Sequence, residues 1–382
     1  GPHFIDSVYN IAYIVRADHR PGNNNVYLAY MKPLYYKYDG SGTGGGHPCD
    51  NGPANAYYQL NQEIVYRLST NDGASWGPVV KVTDYMSGFE DDKTQPAAYE
   101  LTGFIDPNGT FHLAWMAPNI QDHCDLPYAC KLYHWDNTNN CISLVYDASH
   151  PAAIPADALF PAWNRFIAKP NISYCDDKLY IVFTRFGAYT DPEDDDLADD
   201  IGATGFLNGD IYLTASDATG GMGQVWSAAV NMTGTFTDEC VTNECENEHY
   251  PTMAMYSTDS LMIEYILDLE SGAVADPNDP NEATLTYTDN PVIFMTWPCF
   301  AMNELPQNNC ISTTPADAEY DEVALAPNGD PTGCTTEGTY SNEVIISNCG
   351  NVNYSYTATS NDAWLTIDGG SGGTINAGTG PN

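Results

Sequence analysis

One phrase recurs four times along the chain, a short apolar strand closing on an aromatic ring: Val26-Tyr27-Leu28-Ala29-Tyr30, Phe111-His112-Leu113-Ala114-Trp115, Leu179-Tyr180-Ile181-Val182-Phe183 and Leu261-Met262-Ile263-Glu264-Tyr265. The copies return at intervals of roughly 70 to 85 residues, and strands repeated in this way without helices between them point to blades set radially around an axis. A second series keeps step: Ile64-Val65-Tyr66-Arg67-Leu68, Lys131-Leu132-Tyr133-His134-Trp135, Ile211-Tyr212-Leu213-Thr214-Ala215 and Val292-Ile293-Phe294-Met295-Thr296-Trp297. Ahead of three of the phrases stands a dipeptide ending in proline, Gln95-Pro96, Lys169-Pro170 and Tyr250-Pro251. Proline has no amide proton to give a ladder, so these dipeptides are read as the entrances of first strands. The expected fold is all-β: a β-propeller with at least four blades over residues 1–298.

Turns between first and second strands use residues that stabilise tight reversals, as in Asp106-Pro107-Asn108-Gly109. Second and third strands are joined by long polar insertions, such as 31–63 and 186–210, where a recognition surface is expected. Residues 299–339 read as a linker carrying a disulfide, Cys299 with Cys310. Residues 340–382 then read as a partial Ig-like β-sandwich module. With Gly1-Pro2 running almost at once into a strand, the start reads as the interior of a longer protein.

Charge narrows the function. With 12 Lys and Arg against 51 Asp and Glu the formal net charge is −39, which repels nucleic acid and anionic lipid. No apolar run is long enough to cross a bilayer as a helix, so membrane insertion is not expected. Eleven cysteines, several close in sequence (Cys124 and Cys130, Cys240 and Cys245, Cys299 and Cys310, Cys334 and Cys349), imply local disulfides and a secreted, extracellular location, with association to a cell surface. The spacing of Cys and His does not match a zinc-thiolate site.

The turn Ser69-Thr70-Asn71-Asp72-Gly73-Ala74-Ser75-Trp76 resembles the Asp-box, or BNR repeat, of sialidase-like propellers, with Asn71 where that pattern has Asp. A degenerate copy, Ser216-Asp217-Ala218-Thr219-Gly220 with Trp226, follows a later third strand. The resemblance implies a propeller over about residues 7–298, with the box itself a structural turn. It also implies a carboxylate clamp of three arginines with catalytic Asp, Tyr and Glu. The arginines on offer are Arg16, Arg20, Arg67, Arg165 and Arg185, and the catalytic trio finds no match by residue. Ser360 to Ile367, with Trp364-Leu365, resembles a strand of BACON-type immunoglobulin-like modules.

Two acidic loops suggest calcium, which takes six to eight oxygen ligands. The first holds Asp191, Glu193, Asp194, Asp195, Asp196, Asp199 and Asp200; the second holds Asp268, Glu270, Asp276, Asp279 and Glu282. A solvated charge run is the plain alternative. The reading that follows is a secreted, non-catalytic propeller that binds an extracellular glycan or protein partner, or further copies of itself. A glycoside hydrolase of the sialidase-like type and a subunit of an extracellular filament or surface layer are the alternatives.

Overall fold

The computed structural model describes residues 4–7, 13–18, 20–36, 56–83, 100–121, 124–148, 158–161, 165–187, 200–217, 221–272 and 287–299, with short strands at 311–314, 345–348, 354–357 and 372–375. No helix occurs among them. The chain divides into two compact units, Gly1–Pro306 and Gln307–Asn382.

Four sheets follow one another in the first unit. The first is β1 (Tyr13–Ala17), β2 (Val26–Tyr36), β3 (Ala56–Ser69) and β4 (Val80–Lys81); the second is β5 (Leu101–Ile105), β6 (Phe111–Gln121), β7 (Cys124–Asp136) and β8 (Ile142–Asp147). The third holds β9 (Ile167–Cys175), β10 (Lys178–Phe186), β11 (Gly209–Asp217) and β12 (Val230–Asn231). The chain then runs through β13 (Asn247–Met253), β14 (Tyr256–Ser257), β15 (Ser260–Asp268) and β16 (Val292–Pro298): β13, β15 and β16 form the fourth sheet, while β14 pairs in parallel with β9 at the edge of the third. Apart from that one parallel pair, neighbouring strands are antiparallel, so each sheet is a meander of consecutive strands.

Their first strands lie side by side, β1 against β5, β5 against β9 and β9 against β13, and an apolar layer fills each gap. Ile14, Tyr27, Met31, Leu113 and Trp115 fill the gap between the first and second sheets. Phe104, Met116, Leu132, Ile181, Phe183 and Trp226 fill the next, and Tyr180, Val182, Ile211, Leu261 and Ile263 the last. Strand β10 shows why its sequence is apolar throughout: Leu179, Ile181 and Phe183 face the second sheet, while Tyr180 and Val182 face the fourth. Burying each such side chain is worth about 1.5–3 kcal/mol. Strand β16 is as apolar, yet Val292 and Phe294 are 68% and 64% exposed, because only its other face packs on the third sheet. This is the arrangement of propeller blades, in four sheets and with no closed ring among the described residues.

The Ser69–Trp76 turn is held by its own side chains. Ser69 Oγ accepts the Gly73 amide (2.8 Å), Asn71 Oδ1 accepts the Ser75 amide (2.8 Å), and Asp72 and Gly73 take positive φ.

Cysteine pairing departs from sequence proximity. Cys240–Cys245 forms, but Cys299 bonds Cys175 with Cα atoms 6.0 Å apart, not Cys310. The cause is topology: β14 lies beside the end of β9, and the Cys299 amide donates to Asp259 O (3.1 Å) in the turn that follows, which brings the end of β16 to Cys175. Cys130, expected to bridge Cys124, is a buried thiol whose sulfur accepts the Ile167 amide.

In the second unit β17 (Ile311–Thr314) pairs with β18 (Ile345–Asn348), and β19 (Tyr354–Thr357) with β20 (Gly372–Ile375). Two such pairs do not by themselves make a sandwich. Trp364 and Leu365 lie outside the described residues.

Candidate functional site

Pro170 and Pro251 are not strand entrances. They sit inside β9 and β13 at matching β-bulges, where the pairs Lys169-Pro170 and Tyr250-Pro251 each oppose a single residue of the next strand, Phe183 and Tyr265. Those two are the closing aromatics of the repeated phrase. A bulge leaves one residue out of the ladder and needs no amide from proline, which is why the dipeptide fits mid-strand. Lys169 and Tyr250 consequently adopt left-handed backbone, φ 53° and 56°, a conformation costly for residues with large side chains. In the second sheet Leu101 pairs with the closing aromatic Trp115, so Glu100 stands next to the corresponding place.

These three positions, one per sheet, converge. Lys169 Nζ forms an ion pair with Glu100, whose other oxygen accepts the Lys169 amide. Lys169 Nζ also lies 5.6 Å from the centre of the Tyr250 ring. The Tyr250 ring is close to His249 (centroids 5.7 Å), and His249 packs on Phe186 (5.1 Å). Tyr250 is 49% exposed, whereas His249 is buried and its Nε2 has no hydrogen-bond partner. Burial, reinforced by the Lys169 charge, pushes the His249 imidazole down to about 3, so the ring is neutral over the ordinary pH range.

Next to this group Glu248 is buried between the third and fourth sheets. Thr235 Oγ1 lies 3.2 and 3.0 Å from its two oxygens and 3.0 Å from Asp210 Oδ1, and Asp210 also accepts from Thr233 Oγ1 and the Thr235 amide. Desolvation, with the Asp210 charge second, pushes the Glu248 carboxyl up to about 9, so it carries its proton at neutral pH. Gly209 is required here, since a Cβ on it would stand 2.9 Å from Glu248 O and 3.0 Å from the Phe186 ring. The β2–β3, β6–β7 and β10–β11 connections leave the sheets at this same end, where the first strands begin.

Of the proposed calcium ligands, Asp191, Glu193, Asp194, Asp195, Asp196, Asp199, Asp276, Asp279 and Glu282 lie outside the described residues. Asp200 is buried, accepts Asn208 Nδ2 (2.8 Å) and the Thr237 amide (3.2 Å), and is pushed up to about 6 chiefly by desolvation. Asp268 Oδ1 accepts the Glu270 amide (3.1 Å) and the Thr288 hydroxyl (3.3 Å), and Glu270 Oε2 is buried with no partner. The arginines expected to clamp a carboxylate are engaged in different places. Arg16 donates to Gly103 O and Val15 O, while Arg185 lies between the Phe166 and Tyr212 rings and donates to Gly187 O.

The sequence reading passed over Glu100, His249 and the roles of Lys169 and Tyr250. The available signal was the repeated residue-plus-proline dipeptide, attributed to strand geometry alone.

No protein-family model matches this chain, and no curated protein does. Among solved structures it is similar to a thermostable family-43 glycoside hydrolase at 12% identity and TM-score 0.32, covering 73% of this chain and 72% of that one. The native arabinanase of Bacillus subtilis matches at 12% identity and TM-score 0.31, covering 75% and 74%. An apocarotenoid oxygenase of Synechocystis matches at 8% and 0.33, covering 68% and 44%. Glycoside hydrolases outnumber the oxygenase among these structures, which runs against the expectation of a non-catalytic binding or assembly protein. At such TM-scores nothing about substrate or residue roles passes from them to this chain.

Proposed function

We propose that this chain is an extracellular enzyme that cleaves glycosidic bonds of a neutral polysaccharide where Glu100, Lys169, His249 and Tyr250 meet. The observation that carries the reading is the pair of strained bulges, which turn Lys169 and Tyr250 onto one spot beside Glu100. Left-handed backbone at two large residues costs about 1–3 kcal/mol each and persists where function holds it. The half-exposed Tyr250 ring offers a face for a sugar ring, while Glu100 and Lys169 suit its hydroxyls. A net charge of −39 disfavours anionic glycans, and the cation of the group is already paired with Glu100.

Glycoside hydrolysis needs one carboxylate and one protonated carboxyl. Glu100 takes the first role in this reading. Glu248, two positions before Tyr250, is the carboxyl that burial holds protonated. The Cys175–Cys299 and Cys240–Cys245 disulfides suit an oxidising compartment.

The test is release of reducing ends from a panel of soluble neutral polysaccharides, arabinan and xylan among them, by the full chain and by Glu100→Gln and Tyr250→Ala. Cleavage by the parent, lost in Glu100→Gln and weakened in Tyr250→Ala, supports the proposal. Failure to cleave any of the panel, or cleavage that both variants retain, overturns it.

A further inference from the structure

Away from the first strands, the second sheet carries a polar stripe on the face it turns toward the third. His112 lies opposite Asp136 in the β6–β7 ladder and His134 lies opposite Ala114, so His112, His134 and Asp136 share that face. All three are buried, at 1%, 0% and 0% exposure. One donor atom from each lies within 4.8 Å of the others, and His112 Nδ1 is 2.9 Å from His134 Nε2.

The outward nitrogens of both rings are already directed. Ser143 Oγ gives its proton to Gly223 O (2.6 Å) and accepts from Trp226 Nε1 (3.1 Å), so toward His134 Nδ1 (3.4 Å) it presents a lone pair. His134 therefore carries its proton on Nδ1, and its Nε2 is a lone pair pointing at His112. On the far side of His112, Nε2 faces the buried Asp106 carboxylate at 3.8 Å. His112 Nε2 is itself buried and makes no hydrogen bond, the Asp106 contact being too long for one. Asp136 adds a second buried carboxylate, which accepts from the neutral donors Thr138, Asn139 and Gln224.

We propose that His112 Nδ1, His134 Nε2 and an Asp136 oxygen bind one divalent transition-metal ion of the zinc class. Two imidazoles and a carboxylate are a usual three-ligand set for such an ion. Histidine ligands ordinarily fix their second nitrogen on a carboxylate or other acceptor, the places that Asp106 and Ser143 occupy here. Ligand nitrogens of a tetrahedral ion with bonds of about 2.0–2.1 Å stand somewhat farther apart than the present contact, so the rings separate slightly on binding. The site is independent of the glycan-cleaving end, and its failure would leave that reading intact. Calcium at the acidic loops is a different chemistry and uses none of these residues.

Because the site is buried, the experiment refolds the full chain from denaturant with Zn²⁺ or with a chelator, then measures bound metal after gel filtration. One zinc per chain is expected, and with Co²⁺ in its place, visible absorption bands of a four-coordinate nitrogen and oxygen site. Asp106→Asn should weaken binding about 10–100-fold by removing the support of His112, and His112→Gln with His134→Gln should abolish it. Since the double variant can misfold, nitrogen-15 NMR of the parent gives a second reading: His112 Nδ1 and His134 Nε2 should both move to metal-bound shifts with Zn²⁺. No zinc retained by the refolded parent, or a His112 protonated on both nitrogens with Zn²⁺ present, would overturn the proposal.

Discussion

His249 and His134 are both buried rings, yet the molecule supports them in opposite ways. His134 has an acceptor behind one nitrogen and a second imidazole before the other, set in a face of the second sheet that is held by ordinary ladder pairing. His249 stands beside a strained bulge, with a half-exposed tyrosine next to it and no partner for Nε2. A buried polar atom without a partner costs about 1–3 kcal/mol, and an unusual backbone angle a similar amount. The bulged end thus carries its orphan nitrogen beside strained, half-exposed residues, whereas the interior stripe carries one, His112 Nε2, within regular ladder pairing. Such costs are expected where a ligand arrives from solvent, and a preorganised shell where the partner is part of the fold.

The contrast can be broken most sharply at Glu100. Glu100→Gln should lower the rate of glycosidic cleavage about 10²–10⁴-fold with little change in melting temperature, as steady-state kinetics and calorimetry would show. Ser143→Ala should do the reverse. It removes an acceptor from Trp226 and from His134, so denaturant unfolding should report a loss of about 1–3 kcal/mol while cleavage is unchanged.

Glu248 gives the pH dependence its sign. Its folded value of about 9 lies above the ordinary 4.5, so the native state holds a proton that the unfolded chain has released across that interval. This contribution is fully present below the unfolded value and is lost as pH rises from there through about 9, with a slope of at most about 1.4 kcal/mol per pH unit. Asp200, pushed up to about 6, acts in the same direction over a narrower interval. Glu248→Gln should thus leave stability nearly unchanged at pH 5 and raise it at pH 8, measured by urea unfolding at each pH. The smallest effect is expected at the bulge: Tyr250→Gly should gain about 1 kcal/mol in stability by relieving the left-handed backbone, and lose substrate affinity in the same variant.

The strands were legible because their apolar phrases must be buried somewhere. Each of the four phrases forms the start or body of β2, β6, β10 or β15, and each of the companion segments falls within β3, β7, β11 or β16. What lay beyond reach depended on which chain segment stands opposite which. Val292 and Phe294 read like the buried residues of β10, but only the position of the sheet at the end of the packed series exposes them. Cys299 finds Cys175 through the crossing of β14 to β9, which no spacing rule contains. His112 meets His134 and Asp136 through antiparallel register across β6 and β7, whereas metal spacing rules describe ligands close in sequence. The proline dipeptides were visible and misassigned, because an absent amide fits a strand entrance and a bulge equally well, and only left-handed angles at Lys169 and Tyr250 distinguish the two.

The central claim, that the reacting carboxylate lies at the bulged end of the first strands, is tested most directly by affinity labelling. The full chain is treated with epoxyalkyl glycosides of neutral sugars, chosen to match the polysaccharide it cleaves, and the modified peptide is mapped by mass spectrometry. The account predicts an ester on Glu100, absent from Glu100→Gln and slowed by the unmodified sugar. An inactivating label on a carboxylate away from this end, Asp106 or Asp136 for example, with Glu100 untouched, would contradict it.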